Sequence, residues 1–576
     1  MAKKAKPPRP ADPKWVGVAV GAVFLLTHLI VVREAASPFR LPKEALASAG
    51  LAAVAAAAIA RDLLGGRLRL PRGPLAAVLG LYPCLLAVSS LWAADARRAT
   101  ATAAMAAVWV VGIVWLGTLD PASRRRIVHW TTAGALISAA VLLLQIGGVQ
   151  VIELQPETAR ARMGLTGLAG NPADLTMGIV LLMPLLLPGA ARASSWRRWI
   201  VPGLMAAVVA VTQTLTGIAA LVLLSLTWLA LHGSRRTWLV ATGAVAVLAA
   251  VALAAGIGSR IERELDAIRA GNWNEVLSAR GDGWSAAAQM VAEHPATGIG
   301  AGGFDHQFMP FRIAFLERHG GAGSRGELAT HFTWAHNDPL QVVAELGLVG
   351  FAWLLALTVG LHRQRQRGDA LPWLGAAALA PFALLHYPAH LAVSLMPIAL
   401  LTAHVIHSSE ATTVNLGGVG RLLAVVALVL ATLVVAWQVR RVEEDRWFGR
   451  SENALQAAQA VGGAKAHAVY GAVERDARER LQSSPGSAGR LWRVIARARY
   501  AQGDPAAAEI AFRQALELWP HEEAEMGLGL ALAGQGRRSE AIGHLGRVCR
   551  LNPRLAELIP DPDLRRAVRS YLAEIE

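Results

Sequence analysis

The sequence predicts an all-α protein: a polytopic membrane bundle of about twelve to thirteen transmembrane helices, with a long polar insertion and a soluble, helical C-terminal region. Three observations carry this. Apolar runs of about 17–22 residues recur, long enough to cross a hydrocarbon core of roughly 30 Å as helices. Hydrophobic residues make up 54% of the 576 and charged residues only 17%, outside the range of an ordinary soluble domain. The basic residues, which leave a net charge of +15, sit mostly in the short segments between those runs.

The chain opens with a basic N-terminus, residues 1–14, carrying Lys3, Lys4, Lys6 and Arg9. Thirteen apolar runs follow, at about 15–32, 45–60, 75–93, 101–119, 127–147, 173–189, 199–213, 215–232, 237–256, 340–361, 371–387, 389–407 and 419–438. The first has no small-residue cleavage site after it, so it reads as a retained span and not a removed signal peptide. Only Gln213 and a few threonines separate 199–213 from 215–232, which leaves two helices or one broken helix open.

With thirteen spans, one side of the membrane collects Arg61, Arg67, Arg69 and Arg72; Arg124, Arg125 and Arg126; Arg197 and Arg198; Arg235 and Arg236; and Arg363, Arg365 and Arg367. The positive-inside rule makes that side the cytoplasm, and the N-terminus lies there too. Arg97 and Arg98 are the exception, in an outside loop. The basic balance is therefore a topology signal and argues against nucleic acid as a partner. Cys84 lies in a span and Cys549 near the C-terminus, a placement that suggests neither a disulfide framework nor a cysteine metal site.

The resulting organisation is a membrane bundle over 15–256, a large outside loop over 257–339, membrane helices over 340–438, and an outside helical region over 439–576. The last carries a weak repeat: Gly503 and Gly536 are 33 residues apart, as are Pro520 and Pro553. Small residues where helices touch, then a proline after the second helix, resemble a tetratricopeptide repeat, with helices in 451–485 as caps. The plainer reading is a helical hairpin domain. Either reads as a docking or positioning element.

The loop 257–339 is too long for a simple connection. It starts with a charged amphipathic stretch, Ser259 to Asn272, suited to the membrane surface. Next come Arg280 and Trp284, an alanine-rich helix, and the turn from Gly298 to Gly303, whose glycines allow close approach to a ligand or another helix. That turn lacks the following Lys-Ser/Thr of a nucleotide-binding loop.

The loop ends on Trp334-Ala-His336-Asn337-Asp338, the last polar residues before a long apolar run. An imidazole at a membrane boundary can move a proton near neutral pH, so His336 is the first catalytic candidate. Asp338 or Glu345 would orient it, although a helix-start cap explains Asp338 equally well. His306, His319, Arg325 and His331 read as surface residues of a mobile loop. His386 and His390 bracket Tyr387-Pro388 in a short outside turn, and no zinc-binding spacing occurs.

Three segments, taken in order, resemble the O-antigen ligase and polymerase superfamily of bacterial envelope glycosyltransferases. They are Arg280 with Trp284; His294, Pro295, Gly298, Gly300, Gly302 and Phe304; and His336, Asn337, Asp338, Leu340, Gln341, Glu345, Leu346, Gly347 and Gly350. Gly167 through Asn171-Pro172 is similar to the family's opening of a membrane span. The resemblance implies an inner-membrane enzyme working on the periplasmic face without metal or nucleotide cofactor. Its donor would be a glycan on undecaprenyl pyrophosphate, and its acceptor lipid A-core, another glycan or a protein hydroxyl.

Under that resemblance Arg280 binds the diphosphate, with Arg162 as a second clamp, and His336 is the general base. Trp284 and Trp334 would stack on sugars, with Asn337 and Asp338 beside them. One position departs from the family. Where relatives often carry Ser-Arg, this chain reads Thr214-Leu215, and leucine cannot bind a phosphate. Another basic residue substitutes, the donor headgroup differs, or catalysis is lost. The rival reading is a non-catalytic assembly factor or scaffold that binds lipid-linked glycan.

Overall fold

The structure is a computed structural model that describes residues 12–71, 73–151, 162–191, 196–233, 250, 253, 256–320, 331–364, 369–407 and 411–575. Six described helices are long and apolar enough to cross a membrane: Arg40–Leu64, Ala96–Thr118, Pro121–Ile146, Leu215–His232, Asp338–Arg363 and Val419–Val461. Five shorter apolar helices join them, Lys14–Leu29, Pro74–Ser89, Pro172–Pro188, Leu371–Leu385 and Ala392–His407. Together with Ile200–Thr212, they account for twelve of the thirteen predicted runs. The remaining run, 237–256, lies almost wholly outside the described residues, as do most of 1–14 and the side chains of Arg72, Arg235, Arg236, Arg325, Arg365 and Arg367.

The open question at 199–232 is answered by the backbone. Ile200–Thr212 stops at Gln213, which adopts a left-handed φ of 50°, and Leu215–His232 starts two residues later. Thr212 and Thr214 lie against Thr176, with Thr176 Oγ1 2.9 Å from Thr212 Oγ1 and 3.4 Å from Thr214 Oγ1. These hydroxyls join the break to the Pro172–Ala191 helix.

Small residues bring the helices together. An added Cβ at Gly17 would lie 3.1 Å from the Ser123 backbone, and one at Gly134 would lie 2.8 Å from the Leu25 carbonyl. This zips Lys14–Leu29 onto Pro121–Ile146. Between helices in lipid, close packing has to supply the attraction that expelled water supplies elsewhere.

Contacts sort the helix ends into two groups. At one end, β1 (Arg67–Pro71) pairs antiparallel with β2 (Ala411–Asn415), Arg67 opposite Asn415. This small sheet was not expected from an all-α reading. Arg69 there reaches Asp12 at 3.0 Å, and the Asp120 N–H donates to the same carboxylate. At the other end Arg40 meets Asp174, the Ala301 N–H donates to Ser89 Oγ, and Arg98 pairs with Asp305. The basic clusters at Arg61–Arg69 and Arg124–Arg126 belong to the first end, and the long insertion belongs to the second.

The glycine-rich turn approaches a helix, not a ligand. Gly347 has φ 61° and ψ −146°, which kinks the Asp338–Gln364 helix. The kink exposes backbone groups that the turn takes up. Ile299 N–H donates to Ala344 O at 3.1 Å, Gly300 N–H to Glu345 O at 2.9 Å, and Leu348 N–H to Pro295 O at 2.9 Å. Glu345 Oε2 accepts from Gly302 N–H. Side chains are excluded on both sides, since a Cβ on Gly298 would sit 2.3 Å from Glu345 C and one on Gly347 2.5 Å from Ala296 C.

The Val419–Val461 helix runs straight through the predicted boundary at 438 into the C-terminal region. There, Gly463–Ser483 packs beside two helical hairpins, Ala488–Ala501 with Pro505–Leu518 and Glu522–Gly534 with Arg538–Leu551. Gly503 and Gly536 take φ of 78° and 79° at the equivalent turns. Leu491, Val494, Phe512, Leu528, Leu545 and Val548 form their shared core. This region also docks on the insertion, through Leu516 and Leu551 against Met309, Ile313 and Leu316 of the Gly303–His319 helix.

Gly298→Ala and Gly347→Ala should each cost about 2 kcal/mol or more, from left-handed strain plus backbone overlap. Gly66→Ala, also at positive φ but with nothing within 4 Å of the new Cβ, should cost only the strain. Thermal midpoints in lipid discs test this. Equal losses at all three would mean that the close approach at 298 and 347 is not what holds the turn.

Candidate functional site

Four non-glycine residues have positive φ among those described: Gln213, Ser278, Ala279 and His336. Such backbones cost of order 1–3 kcal/mol and tend to gather at functional sites. Here two of them precede Arg280, and the third is His336 itself. Ser278 and Ala279 turn the chain so that Arg280 opens the Arg280–Glu293 helix. Arg280 Nη1 donates to Leu277 O at 2.8 Å, and Nη2 lies 3.3 Å from His386 Nε2. A guanidinium can only donate, so His386 presents its lone pair there.

His336 Nδ1 lies 3.1 Å from the Trp334 carbonyl, an acceptor. Nδ1 therefore carries the proton, which leaves the lone pair on Nε2. The ring stands edge-on to Tyr387, with centroids 4.7 Å apart, and 6.4 Å from His386. Burial, then the Arg280 guanidinium, push the imidazole down from 6.5 to about 4; the Trp334 carbonyl resists and Arg40 adds to the fall. His386 is driven well below its ordinary value by burial, then by Arg280, His336 and Arg40. Burial alone holds His390 at about 4. All three rings are neutral at pH 7.

Neither carboxylate expected to orient His336 does so. Asp338 Oδ2 accepts from Ala389 N–H at 2.9 Å, and Oδ1 lies 3.6 Å from His390. Glu345 is taken by Gly302 and Gln341. The helix start is capped by Asn337, whose Oδ1 accepts from Leu340 N–H at 2.9 Å. Asp338 thus ties its helix to the 386–390 turn, and the Trp334 carbonyl sets the imidazole.

Trp334 stacks on Tyr387 at 4.7 Å and on His390 at 5.6 Å. Trp284 is half-buried, and its indole N–H has no hydrogen-bond partner among the described residues. The structure thus gathers Arg280, Trp334, His336 and Asp338 with the 386–390 turn, and Asn337 serves as a cap. The side chain of Arg162 lies outside the described residues.

Two residues went unrecognised in the sequence. Arg40, at the start of the Arg40–Leu64 helix, donates through Nε to Asp174 at 3.2 Å and through Nη2 to the Tyr387 hydroxyl at 2.5 Å. Its guanidinium lies 5.6 Å from the Trp334 ring centre and 5.2 Å from that of Tyr387. A signal existed. Arg40 breaks the cytoplasmic bias of the basic residues just as Arg97 and Arg98 do, and Asp174 places a carboxylate in the first turn of an apolar helix.

The other exception, Arg98, is explained by a second cluster. Arg98 pairs with Asp305, which is 2.5 Å from His331 Nε2, and His331 Nδ1 is 3.1 Å from Glu522 of the C-terminal region. His331 and His306, expected at the surface, are instead packed inside: only 13% of the His331 side chain is exposed, and His306 is 7% exposed. His319 is exposed as expected. Burial lowers His331, but the hydrogen bonds it donates to Asp305 and Glu522 and the charges of those carboxylates outweigh it and raise His331 to about 9, while Asp305 and Glu522 fall to about 2 against their own burial.

His331, His521 and Glu522 also bring metal-ligand atom types within 4.8 Å of one another. A cation there would displace the proton that balances Asp305 and Glu522. It would also face Arg493, whose Nη1 is 3.3 Å from His521 Nδ1. The grouping fits a charged hydrogen-bonded joint better than a metal centre.

These features define a polytopic α-helical membrane protein with a polar, aromatic- and histidine-lined site at one end of its bundle. Residues 200–355 match the family described as O-antigen ligase, and this part of the chain is similar to that family. Arg280, Trp284, Trp334, His336, Asn337 and Asp338 all fall within the match, whereas Arg40, Asp174 and the 386–390 turn lie outside it. No curated protein matches the chain.

The joint sets a pH dependence. His331 has a folded pKa raised from 6.5 to about 9, so its contribution is complete below pH 6.5, declines from there, and is lost as pH rises through about 9. Hydrogen exchange in the Glu522–Gly534 helix should accelerate over that window. The same rise in His331→Gln would assign the effect to another group.

Proposed function

We propose that the protein transfers a glycan from an undecaprenyl-pyrophosphate-linked donor to a hydroxyl acceptor on the periplasmic face of the inner membrane, with Arg280 on the diphosphate and His336 as general base. The observation that carries this reading is the pairing of a fixed arginine with a neutral histidine whose Nε2 lone pair is exposed by the Nδ1 contact to Trp334, within the O-antigen ligase match. The periplasmic placement is supported by the basic clusters Arg61–Arg69 and Arg124–Arg126, which gather at the end away from this site. The C-terminal helical region, docked on the insertion through Leu516 and Leu551, suits an acceptor or protein partner that must be positioned. Lipid A-core, a second glycan chain and a protein hydroxyl are the acceptor classes.

The chemistry balances as follows. The acceptor oxygen forms a bond to the anomeric carbon, and its proton passes to His336 Nε2. The bond from that carbon to the phosphate oxygen breaks, and its electron pair leaves on the diphosphate. Arg280 meets the charge that develops there, in surroundings where water is largely excluded. Trp334, Tyr387 and Trp284 offer flat apolar faces to the sugar rings. Neither Arg280 nor His336 needs a metal for these roles.

A pKa near 4 makes His336 a weak base. Two of the causes are cations, Arg280 and Arg40, and a bound diphosphate would neutralise both. The donor would therefore raise the basicity of the residue that activates the acceptor. A histidine kept neutral until the donor arrives would also avoid wasteful proton uptake.

The reading is tested with purified protein in lipid, an undecaprenyl-pyrophosphate oligosaccharide and a candidate acceptor. His336→Ala and Arg280→Ala should each lower transfer by roughly 10²–10⁴-fold with folding intact. The acid limb of kcat should lie at higher pH than that of kcat/KM, because bound donor raises His336. Arg280→Gln should raise the kcat/KM limb, since the removed charge held the imidazole down. Full transfer by His336→Ala would remove the general-base role. Donor binding by the wild type without any transfer would favour the scaffold reading, which Leu215 supports.

A further inference from the structure

A diphosphate diester carries two negative charges, and a third develops as the sugar departs. Arg280 supplies one cation, already shared with the Leu277 carbonyl and His386. Leu215, where the family resemblance implies an arginine, adds no charge. We propose that Arg40 is the second diphosphate-binding arginine of this site, reaching in from the start of a helix far away in sequence. The proposal rests on the glycan-transfer reading above.

Three features of Arg40 carry it. Its guanidinium leans on the Trp334 and Tyr387 rings, and Tyr387 stands edge-on to His336. Arg40 thus reaches the site through Tyr387, and Arg280 reaches it through His386. Its plane is fixed by Asp174 on Nε and the Tyr387 hydroxyl on Nη2, so little rotamer entropy remains to be lost on binding. Yet 38% of its side chain is open while Asp174 is 3% exposed. Nε and Nη2 are held, while the side chain as a whole keeps access to solvent.

A purely structural ion pair is the competing account, and it explains part of the geometry. Asp174 is buried and needs a cation. It does not explain why the pair sits at the polar end of the bundle against the Trp334 and Tyr387 rings, or why the arginine is the exposed member. An anion approaching Arg40 would meet a guanidinium whose plane is already set for bidentate contact.

The experiment compares binding of undecaprenyl pyrophosphate and undecaprenyl monophosphate to the full-length protein in lipid discs, for the wild type, Arg280→Gln, Arg40→Gln, Arg40→Lys and Asp174→Asn. The wild type should prefer the diphosphate. Arg40→Gln should lose roughly 10- to 100-fold of diphosphate affinity while monophosphate binding changes far less. Asp174→Asn keeps the arginine charge and should retain the preference. A structural pair predicts the opposite pattern, with both variants weakened alike and for both lipids.

Should Arg40→Gln not fold, Arg40→Lys remains informative. It keeps the charge without the flat fork and should lose part of the preference, and an unchanged preference would overturn the proposal. If Arg280→Gln loses the preference and Arg40→Gln keeps it, Arg40 is not a ligand but the transfer reading stands. If the wild type shows no preference at all, the diphosphate reading of the whole site fails.

Discussion

The structure depends on one contact, that between the Gly298–Gly302 turn and the kinked helix at Gly347. The kink frees helical backbone groups, and in a low-dielectric setting these must be paired within the protein. The turn pairs them with its own backbone, and glycine is required because any side chain on either surface would overlap main-chain atoms. From this contact two paths run to the site. Along one, the helix leads back to Asn337 and His336. Along the other, Gly302 launches the Gly303–His319 helix, whose Arg312 Nη2 pairs with Asp282 at 2.6 Å, two residues from Arg280. His336 and Arg280 are thus referred to one fixed point.

The second path also explains why the C-terminal region is attached where it is. The Gly303–His319 helix carries Arg312 toward Asp282 on one side, and Met309, Ile313 and Leu316 toward Leu516 and Leu551 on the other. Asp305 in its first turn joins Arg98 of the bundle to His331, and through His331 to Glu522. Bundle, insertion and C-terminal region meet on this helix. A buried charge is costly unless it is matched on every side, and a protonated imidazole between two carboxylates, flanked by an arginine, meets that condition.

Much of this was legible in the sequence because the signals are local. Apolar runs give the helices directly, and twelve of the thirteen runs coincide with described helices. Arg280, Trp334, His336 and Asp338 stand in contiguous polar segments beside an apolar run, and the fold gathers them around the 386–390 turn. What escaped is what depends on pairing across the chain. Arg40 lies 134 residues from Asp174 and 347 from Tyr387, and no periodicity reports such a meeting. His331 looked like loop surface because its partners are Asp305 and Glu522, 191 residues away in the latter case. The β1–β2 pair was missed although Arg67-Leu-Arg-Leu does alternate, because a five-residue strand between membrane spans is easily read as a basic loop. Asp338 and Glu345 were credited to His336 by proximity in sequence, when the imidazole needed only a backbone carbonyl.

Leu215 stands where the family resemblance implies an arginine, and its surroundings are apolar. It begins its helix just after Gln213 and Thr214, and it packs among apolar neighbours with Ala210 and Ile257. A guanidinium at this point would have to be desolvated or to extend away from that cluster. Arg40 faces no such choice: Asp174, Tyr387 and Trp334 already hold it at the polar end with part of its side chain exposed. Phosphate recognition requires a cation at the right place and not a particular position in the chain. Under the proposed function, Arg40 would supply beside His336 a charge that Leu215 cannot, and the apolar packing of residue 215 would cost the site nothing.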